Sequence, residues 1–271
     1  MKIPFHKPNM PHDLNLIFTD TLRNGWLTTG SQVKIFEKGL KKYLNAKYVV
    51  AVNSCTAALH LALEAKSFGN GHKFIVPALT FVSTVECGEY TGMEPILVDS
   101  EDGGFLLDLN QVEDIVKKDN SVKAIIPVHY GGEAVDLNYL WGLADKYGLF
   151  VLEDAAHALE AVTNDNIKVG CTDHAAAFSF YANKNVTTLG EGGAIATNNA
   201  GLAEKIKKLS LHGITKDGWN RFKSNGSWEY DITELGFKYN LTDIAASFGI
   251  WQMDFITQWQ ERRKEIVEQY Q

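Results

Sequence analysis

Lys184 stands in FSFYANKNVTTLGEGGAIAT (178–197), after an apolar run from Ala175 to Phe180 and before Gly190, Gly192 and Gly193. An amine placed there can form a Schiff base with a carbonyl cofactor. Asp154 ends a second apolar run, LFVLED (149–154), and His157 follows it in EDAAHALEA. A carboxylate at the end of a buried strand can keep the ring nitrogen of pyridoxal phosphate protonated, which makes that ring an electron sink. His157, on the same side of a helix opened by Asp154, can bond the ring or its phenolic oxygen. After YVVAV (48–52) comes NSCTAAL, small polar residues leading into a helix. The free N–H groups and positive dipole end at Asn53 to Thr56 suit a phosphate. Each feature also has a plainer reading. Asp154 and Asn53–Thr56 read as helix caps, His157 as a hydrogen-bonded structural residue, and Lys184 as a solvated loop lysine.

The elements that must position these residues follow from the hydrophobic pattern. Short apolar runs at 48–52, 73–77, 94–99, 122–128, 149–154, 175–180 and 192–197 predict strands. Helical spacing over 56–65, 81–91 and 137–147 falls between them. Runs this apolar predict strands buried on both faces, as in a mostly parallel α/β sheet with helices on both sides. Ligands in such sheets bind beyond the carboxyl ends of the strands. Asn53–Thr56, Asp154, His157, Ser179 and Lys184 all fall at strand ends, so they share one rim. No metal-ligand spacing, GxSxG elbow or P-loop competes for it.

After residue 200 the pattern changes. A helix over 200–213 ends at Gly213, and residues 214–235 read as an extended loop with Gly218, Asn220, Asn225 and Gly226 among aromatics. Residues 242–271 predict one long helix capped by Thr242. Its apolar stripe of Ile250, Met253, Ile256 and Trp259 has no following element to cover it.

The 271 residues suit one large domain, or one domain plus a fragment of a second. A net charge of −7 and the lack of a basic block exclude a nucleic-acid footprint. Three widely spaced cysteines, Cys55, Cys87 and Cys171, form neither a metal pattern nor a disulfide framework, which favours a reducing cytoplasm. Prolines at 4, 8 and 11 break any signal-peptide core, and no apolar run is long enough to span a membrane.

At these residues the sequence resembles the fold-type I pyridoxal-phosphate-dependent nucleotide-sugar aminotransferases, the DegT/StrS family. GWLTTGSQVKIFEK (25–38), VNSCTAALHLAL (52–63), VPALTFVSTVECGEYTGMEPILVD (76–99), EDAAHALEA (153–161), FSFYANKNVTTLGEGG (178–193) and LGFKYNLTDIAASFG (235–249) occur in the family's order. The resemblance implies that Lys184 forms the internal aldimine with pyridoxal 5′-phosphate and carries the proton between cofactor and substrate carbons. It implies that Asp154 pairs with the pyridine nitrogen, that His157 contacts the ring, and that Phe81 stacks on it. Ser179, Thr56 and the backbone around Cys55 and Ala57 would hold the phosphate. The segment with Lys238 and Asn240 would reach the site of a second subunit, which implies a homodimer.

The implied chemistry is transfer of an amino group, commonly from glutamate, to a keto group of a nucleotide-linked deoxysugar. The implied organisation is an N-terminal arm (1–30), a cofactor-binding large domain (31–240) and a long helix (241–271) leading to a small C-terminal domain that is missing from this chain. Two departures stand out. Lys238, Tyr239 and Asn240 replace an Asn-x-Arg of many relatives, and Cys55 replaces a glycine of the phosphate turn. Two other functions stand as alternatives: a sugar dehydratase of the family, whose members typically have His at the Schiff-base position, so that Lys184 favours transamination, and a non-catalytic binding or regulatory module.

Overall fold

The computed structural model describes residues 4, 6–215 and 230–270. Gly218, Asn220, Asn225 and Gly226 of the expected loop lie outside the described residues. Seven strands form one sheet: β1 (Tyr48–Val52), β2 (Lys73–Pro77), β3 (Glu94–Val98), β4 (Val122–Ile125), β5 (Phe150–Asp154), β6 (Ala175–Ser179) and β7 (Gly193–Thr197). Their order is β1-β7-β6-β5-β4-β2-β3. Only β7 runs antiparallel to its neighbours, pairing Ser179 with Gly193 on one side and Val52 with Gly193 on the other. The pairs from β6 through β3 are parallel.

Alternation along the strands explains why both faces are covered. Val50, Val52, Phe74, Val76, Ala175 and Ala177 pack into one core layer with α3 (Cys55–Lys66) and α7 (Ala200–Leu209). Their neighbours point the other way. Ala51, Ala176 and Phe178 meet α2 (Ser31–Leu44) and α8 (Asp243–Tyr270). Ile75, Ile125 and Val151 meet α5 (Leu109–Val116) and α6 (Leu137–Tyr147). A shorter helix, α4 (Ser83–Tyr90), follows β2, and α1 (Asn15–Asn24) lies within the segment expected as an arm.

Short polar side chains start most of these helices. Ser54 caps α3, Asp108 caps α5, Asp136 caps α6 and Asn199 caps α7, each accepting an N–H of the first turn. The first turn of α2 takes its cap from far along the chain. Asp243, buried at the start of α8, accepts from the N–H of Gly30 at 2.7 Å, Val33 at 3.0 Å and Gln32 at 3.2 Å.

The expected Thr242 cap is present, since its hydroxyl accepts from Ala245 N–H at 3.3 Å. The stripe expected to lack a cover packs on elements that precede it. Ile256 is buried, and Ile250 and Met253 pack against the layer holding Phe36 and Leu40 of α2. Trp259 turns instead to a row of rings with Trp251 and Phe255.

The helix expected after Asp154 is not formed. Residues 155–160 make successive turns, with Ala158 N–H on Ala155 C=O at 3.0 Å and Ala161 N–H on Ala158 C=O at 3.1 Å. Asp154 is therefore no helix cap. One of its oxygens closes a local turn with Ala156 N–H instead, at 3.1 Å.

Candidate active site

The strand ends deliver four groups of residues to one rim. β6 ends at Ser179, and the chain then folds back tightly to reach β7. Phe180 N–H bonds Gly192 C=O at 2.8 Å, Ala182 N–H bonds Gly190 C=O at 3.0 Å, and Thr188 N–H returns to Phe180 C=O at 3.1 Å. Thr187 Oγ1 also donates to Phe180 C=O at 3.0 Å. Lys184 sits at the tip of this closed loop, its N–H on Tyr181 C=O at 3.0 Å. Its amine is half-buried. Burial lowers its pKa from the usual lysine value, while the nearby Cys55 and Asp154 oppose that shift. A larger fraction of neutral amine at working pH is what a nucleophilic lysine requires.

The glycines of this loop admit the neighbouring helix. A Cβ on Gly193 would run into the carbonyl of Ser54 and lie 2.6 Å from Cys55 N. The start of β7 thus lies directly against the N-terminus of α3. There Ser54 Oγ accepts Ala57 N–H at 3.0 Å. The N–H groups of Cys55 and Thr56 lie in the same first turn, which has no intrahelical acceptors to offer them. Cys55 brings its thiol close to the other groups: burial pushes it up, the Asp154 charge adds, and the Lys184 charge opposes. Ser179 Oγ accepts Tyr181 N–H at 3.3 Å, so its own hydrogen remains for an anion.

Asp154 is buried and held at both oxygens. Oδ1 accepts Ala156 N–H at 3.1 Å, and Oδ2 accepts the Thr84 hydroxyl at 2.8 Å. His157 lies beside it. Gly131 N–H donates to His157 Nδ1 at 3.4 Å, which puts the hydrogen of the neutral ring on Nε2. Burial lowers the His157 pKa, the Lys184 charge lowers it further, and the Asp154 charge opposes both. Near pH 7 the ring is a neutral Nε2–H donor. A cleft of about 230 Å3 joins His157, Ser179, Lys184 and Gly131.

Of the expected site residues, the structure gathers Lys184, Asp154, His157, Ser179 and Cys55, with Thr56 and Ala57 on the same helix start. Phe81 lies in the connection from β2 to α4 and is 75% exposed. Lys238 and Asn240 lie apart from the Lys184 cleft. Lys238 Nζ donates to Asn240 Oδ1 at 2.6 Å, and Asn240 Nδ2 donates to Thr29 Oγ1 at 2.7 Å. Asn240 lines a separate cleft with Asn53, Thr188, Leu189 and Glu191.

Sequence reading missed four positions. Thr84 holds Asp154, and Thr80 holds Thr84. Gly131 holds His157, and its φ of 62° explains why glycine is there. Glu160 lies behind the lysine loop. Its carboxylate accepts Asn185 Nδ2 at 2.9 Å and Arg263 Nη1 of α8 at 3.2 Å. Helical spacing of Thr80 and Thr84 was the one signal available for these contacts.

Among the described residues, no group of three or more His, Cys, Asp or Glu is placed to hold a metal ion. No described helix is long and apolar enough to cross a membrane.

A model of the DegT/DnrJ/EryC1/StrS aminotransferase family matches residues 9–271. The chain belongs to this family. The spore coat polysaccharide biosynthesis protein SpsC of Bacillus subtilis is 43% identical over 269 residues, covering 97% of this chain and 68% of SpsC. Among solved structures, Spr1654 of Streptococcus pneumoniae, described as a sugar aminotransferase in its PMP form, superposes with a TM-score of 0.90 at 34% identity. That match covers 99% of this chain and 71% of Spr1654. DesV of S. venezuelae, solved with a ketimine intermediate, superposes with a TM-score of 0.85 at 29% identity. It covers 94% of this chain, which spans 65% of DesV. As a family member, the chain has the mixed, mostly parallel sheet of these aminotransferases.

Proposed function

We propose that this protein uses pyridoxal 5′-phosphate to move an amino group from an amino-acid donor, glutamate, to a keto group of a nucleotide-linked deoxysugar. The observation that carries the reading is the meeting of a half-buried amine, a buried carboxylate and a neutral imidazole beside an N–H-rich helix start. The family relationship supports it, as do the sugar aminotransferases among the relatives. The donor set fits the cofactor group by group. An aldehyde needs an amine, a pyridine N–H needs a carboxylate, a phenolic oxygen needs a donor, and a phosphate needs N–H and O–H groups. When bound, the cofactor supplies an electron-accepting ring conjugated to its aldehyde carbon.

In this reading Lys184 Nζ would be the amine that holds the cofactor through its aldehyde carbon, with the aldehyde oxygen leaving as water, and would be the base placed to carry the proton between donor and acceptor carbons. Asp154 would accept the pyridine N–H, and His157 Nε2–H would donate to the phenolic oxygen. Phe81 would cover one ring face. Cys55 N–H, Thr56 and Ser179 hold the phosphate, with Ala57 N–H already committed to Ser54. Lys238 and Asn240 reach the site of the second subunit of a homodimer. The large domain is residues 31–240, and the long helix leads toward a further domain. The name of SpsC supports a product that enters a polysaccharide.

The test is direct. Purified protein mixed with pyridoxal phosphate is expected to absorb near the visible, and borohydride followed by peptide mapping is expected to place the label on Lys184. Glutamate is expected to convert the cofactor to its amine form. Label on another lysine, or no conversion by any amino acid, overturns the reading.

A further inference from the structure

Asp154 is held by a side chain from a different element, α4. Thr84, in the first turn of α4 and fully buried, donates its only hydroxyl hydrogen to Asp154 Oδ2 at 2.8 Å. Its oxygen is 2.6 Å from the Thr80 hydroxyl. With the Thr84 hydrogen committed to the carboxylate, the direction of the second bond is fixed. Thr80 must donate and Thr84 must accept. The chain of hydroxyls therefore runs one way, from Thr80 through Thr84 to Asp154. A bond to an ionised acceptor is among the stronger hydrogen bonds, and a hydroxyl that itself accepts a bond is polarised toward donating.

Thr80 and Thr84 flank Phe81. The segment that carries the exposed phenyl ring is thus tied by two hydroxyl bonds to the carboxylate on β5. Thr84 N–H also bonds Phe81 C=O at 3.1 Å, which closes the turn under the ring. We propose that Thr84 is a positioning residue that fixes the Phe81 turn against Asp154, so that one rigid unit grips both the face and the nitrogen of the cofactor ring. Thr80 supports it by holding the Thr84 hydroxyl in the donating rotamer. The inference rests on the function proposed above, because it assigns a role toward the same cofactor.

Replacing the Thr84 hydroxyl by a methyl group of equal size tests the bond without opening a cavity. Thr84→Val leaves Asp154 Oδ2 buried and without that donor, whereas Thr84→Ser restores the hydroxyl. Affinity for pyridoxal phosphate is read on the apo protein by quenching of tryptophan emission, with melting temperature measured in parallel. Thr84→Val is expected to weaken binding about tenfold and to shift the absorption maximum of the bound cofactor, while Thr84→Ser stays within about twofold of wild type. Thr80→Val is expected to give the same change at smaller size.

Thr84→Val binding as tightly as wild type, with an unshifted spectrum, overturns the inference and leaves the function standing. A loss that Thr84→Ser does not rescue, or one that only follows the melting temperature, also overturns it. Wild-type protein that binds no pyridoxal phosphate overturns the function and this inference together.

Discussion

At Lys184 the same burial that prepares the amine for chemistry costs stability. The folded protein holds it half away from water, so its pKa lies below the 10.5 of an ordinary lysine. Below the lowered value both states carry the charge, and the folded state bears the full desolvation cost. Between that value and 10.5 the unfolded chain binds more protons, so stability rises with pH; above 10.5 the cost is gone. Lys184→Met is therefore expected to raise the melting temperature of the apo protein at pH 7 by about 2 °C, an advantage that shrinks as pH approaches the lysine range. Thermal melts of the two proteins from pH 7 to 10.5 check both sign and window. An advantage that grows with pH contradicts this account. His157 shares the neighbourhood and is pushed the same way, first by burial and then by Lys184. Asp154 opposes the shift at both groups.

Two contacts between elements set where that amine stands. Gly193 lets the start of β7 lie on the N-terminus of α3, because a Cβ there would meet the Ser54 carbonyl and Cys55 N. Backbone atoms cannot turn aside as a flexible side chain can. Gly193→Ala is expected to destabilise the protein by about 2 kcal/mol and to weaken binding of pyridoxal phosphate by moving Cys55 N–H. Urea unfolding with cofactor titration measures both. The second contact ties α8 to the lysine loop. Arg263 donates to Glu160, Glu160 accepts from Asn185, and Arg263 Nη2 reaches Asn185 C=O at 3.4 Å. The Glu160 side chain is 4% exposed and that of Arg263 35%. Arg263→Met leaves a buried carboxylate with one donor fewer, and the expected loss is about 2 kcal/mol, reduced from a fully buried pair by the exposure of Arg263. The urea midpoint reads this loss, and Glu160→Gln in the same background is expected to recover part of it.

Elements were legible where their signal was local. The strands showed as apolar runs because both faces are covered, and α3 and α6 by their apolar spacing. The long helix showed by its Thr242 cap. Turns stand at 155–160 where a helix opened by Asp154 is expected, because Asp154 commits its oxygens to Ala156 N–H and the Thr84 hydroxyl. The helix α5 went unmarked despite its Asp108 cap, being only eight residues long. Asp243 capping α2, Thr84 holding Asp154 and Gly131 holding His157 join residues far apart in the chain, and no local pattern carries such pairs. Site residues at strand ends were legible for the opposite reason: topology alone brings them to one rim.

For the whole molecule the proposed homodimer carries the sharpest consequence. Lys238 and Asn240 are joined by a 2.6 Å bond, and Asn240 is fixed to Thr29, outside the cleft that holds Lys184. A pair that stands rigidly beside its own cleft is suited to reach a neighbouring one. Light scattering is expected to give twice the 30.1 kDa chain mass. Subunit mixing then asks whether the sites are shared. Lys184→Ala has no attaching amine, and the double variant Lys238→Ala with Asn240→Ala lacks the reaching pair, so each alone is expected to be nearly inactive in glutamate-driven conversion of the cofactor. In a mixed two-fold dimer one site draws its lysine from the second chain and its Lys238–Asn240 pair from the first, while the other site lacks both. Half the dimers in an equal mixture are mixed and each has one intact site of two, so about a quarter of wild-type activity is expected to return. A site built within one chain gives no recovery on mixing, because neither chain by itself holds a complete set.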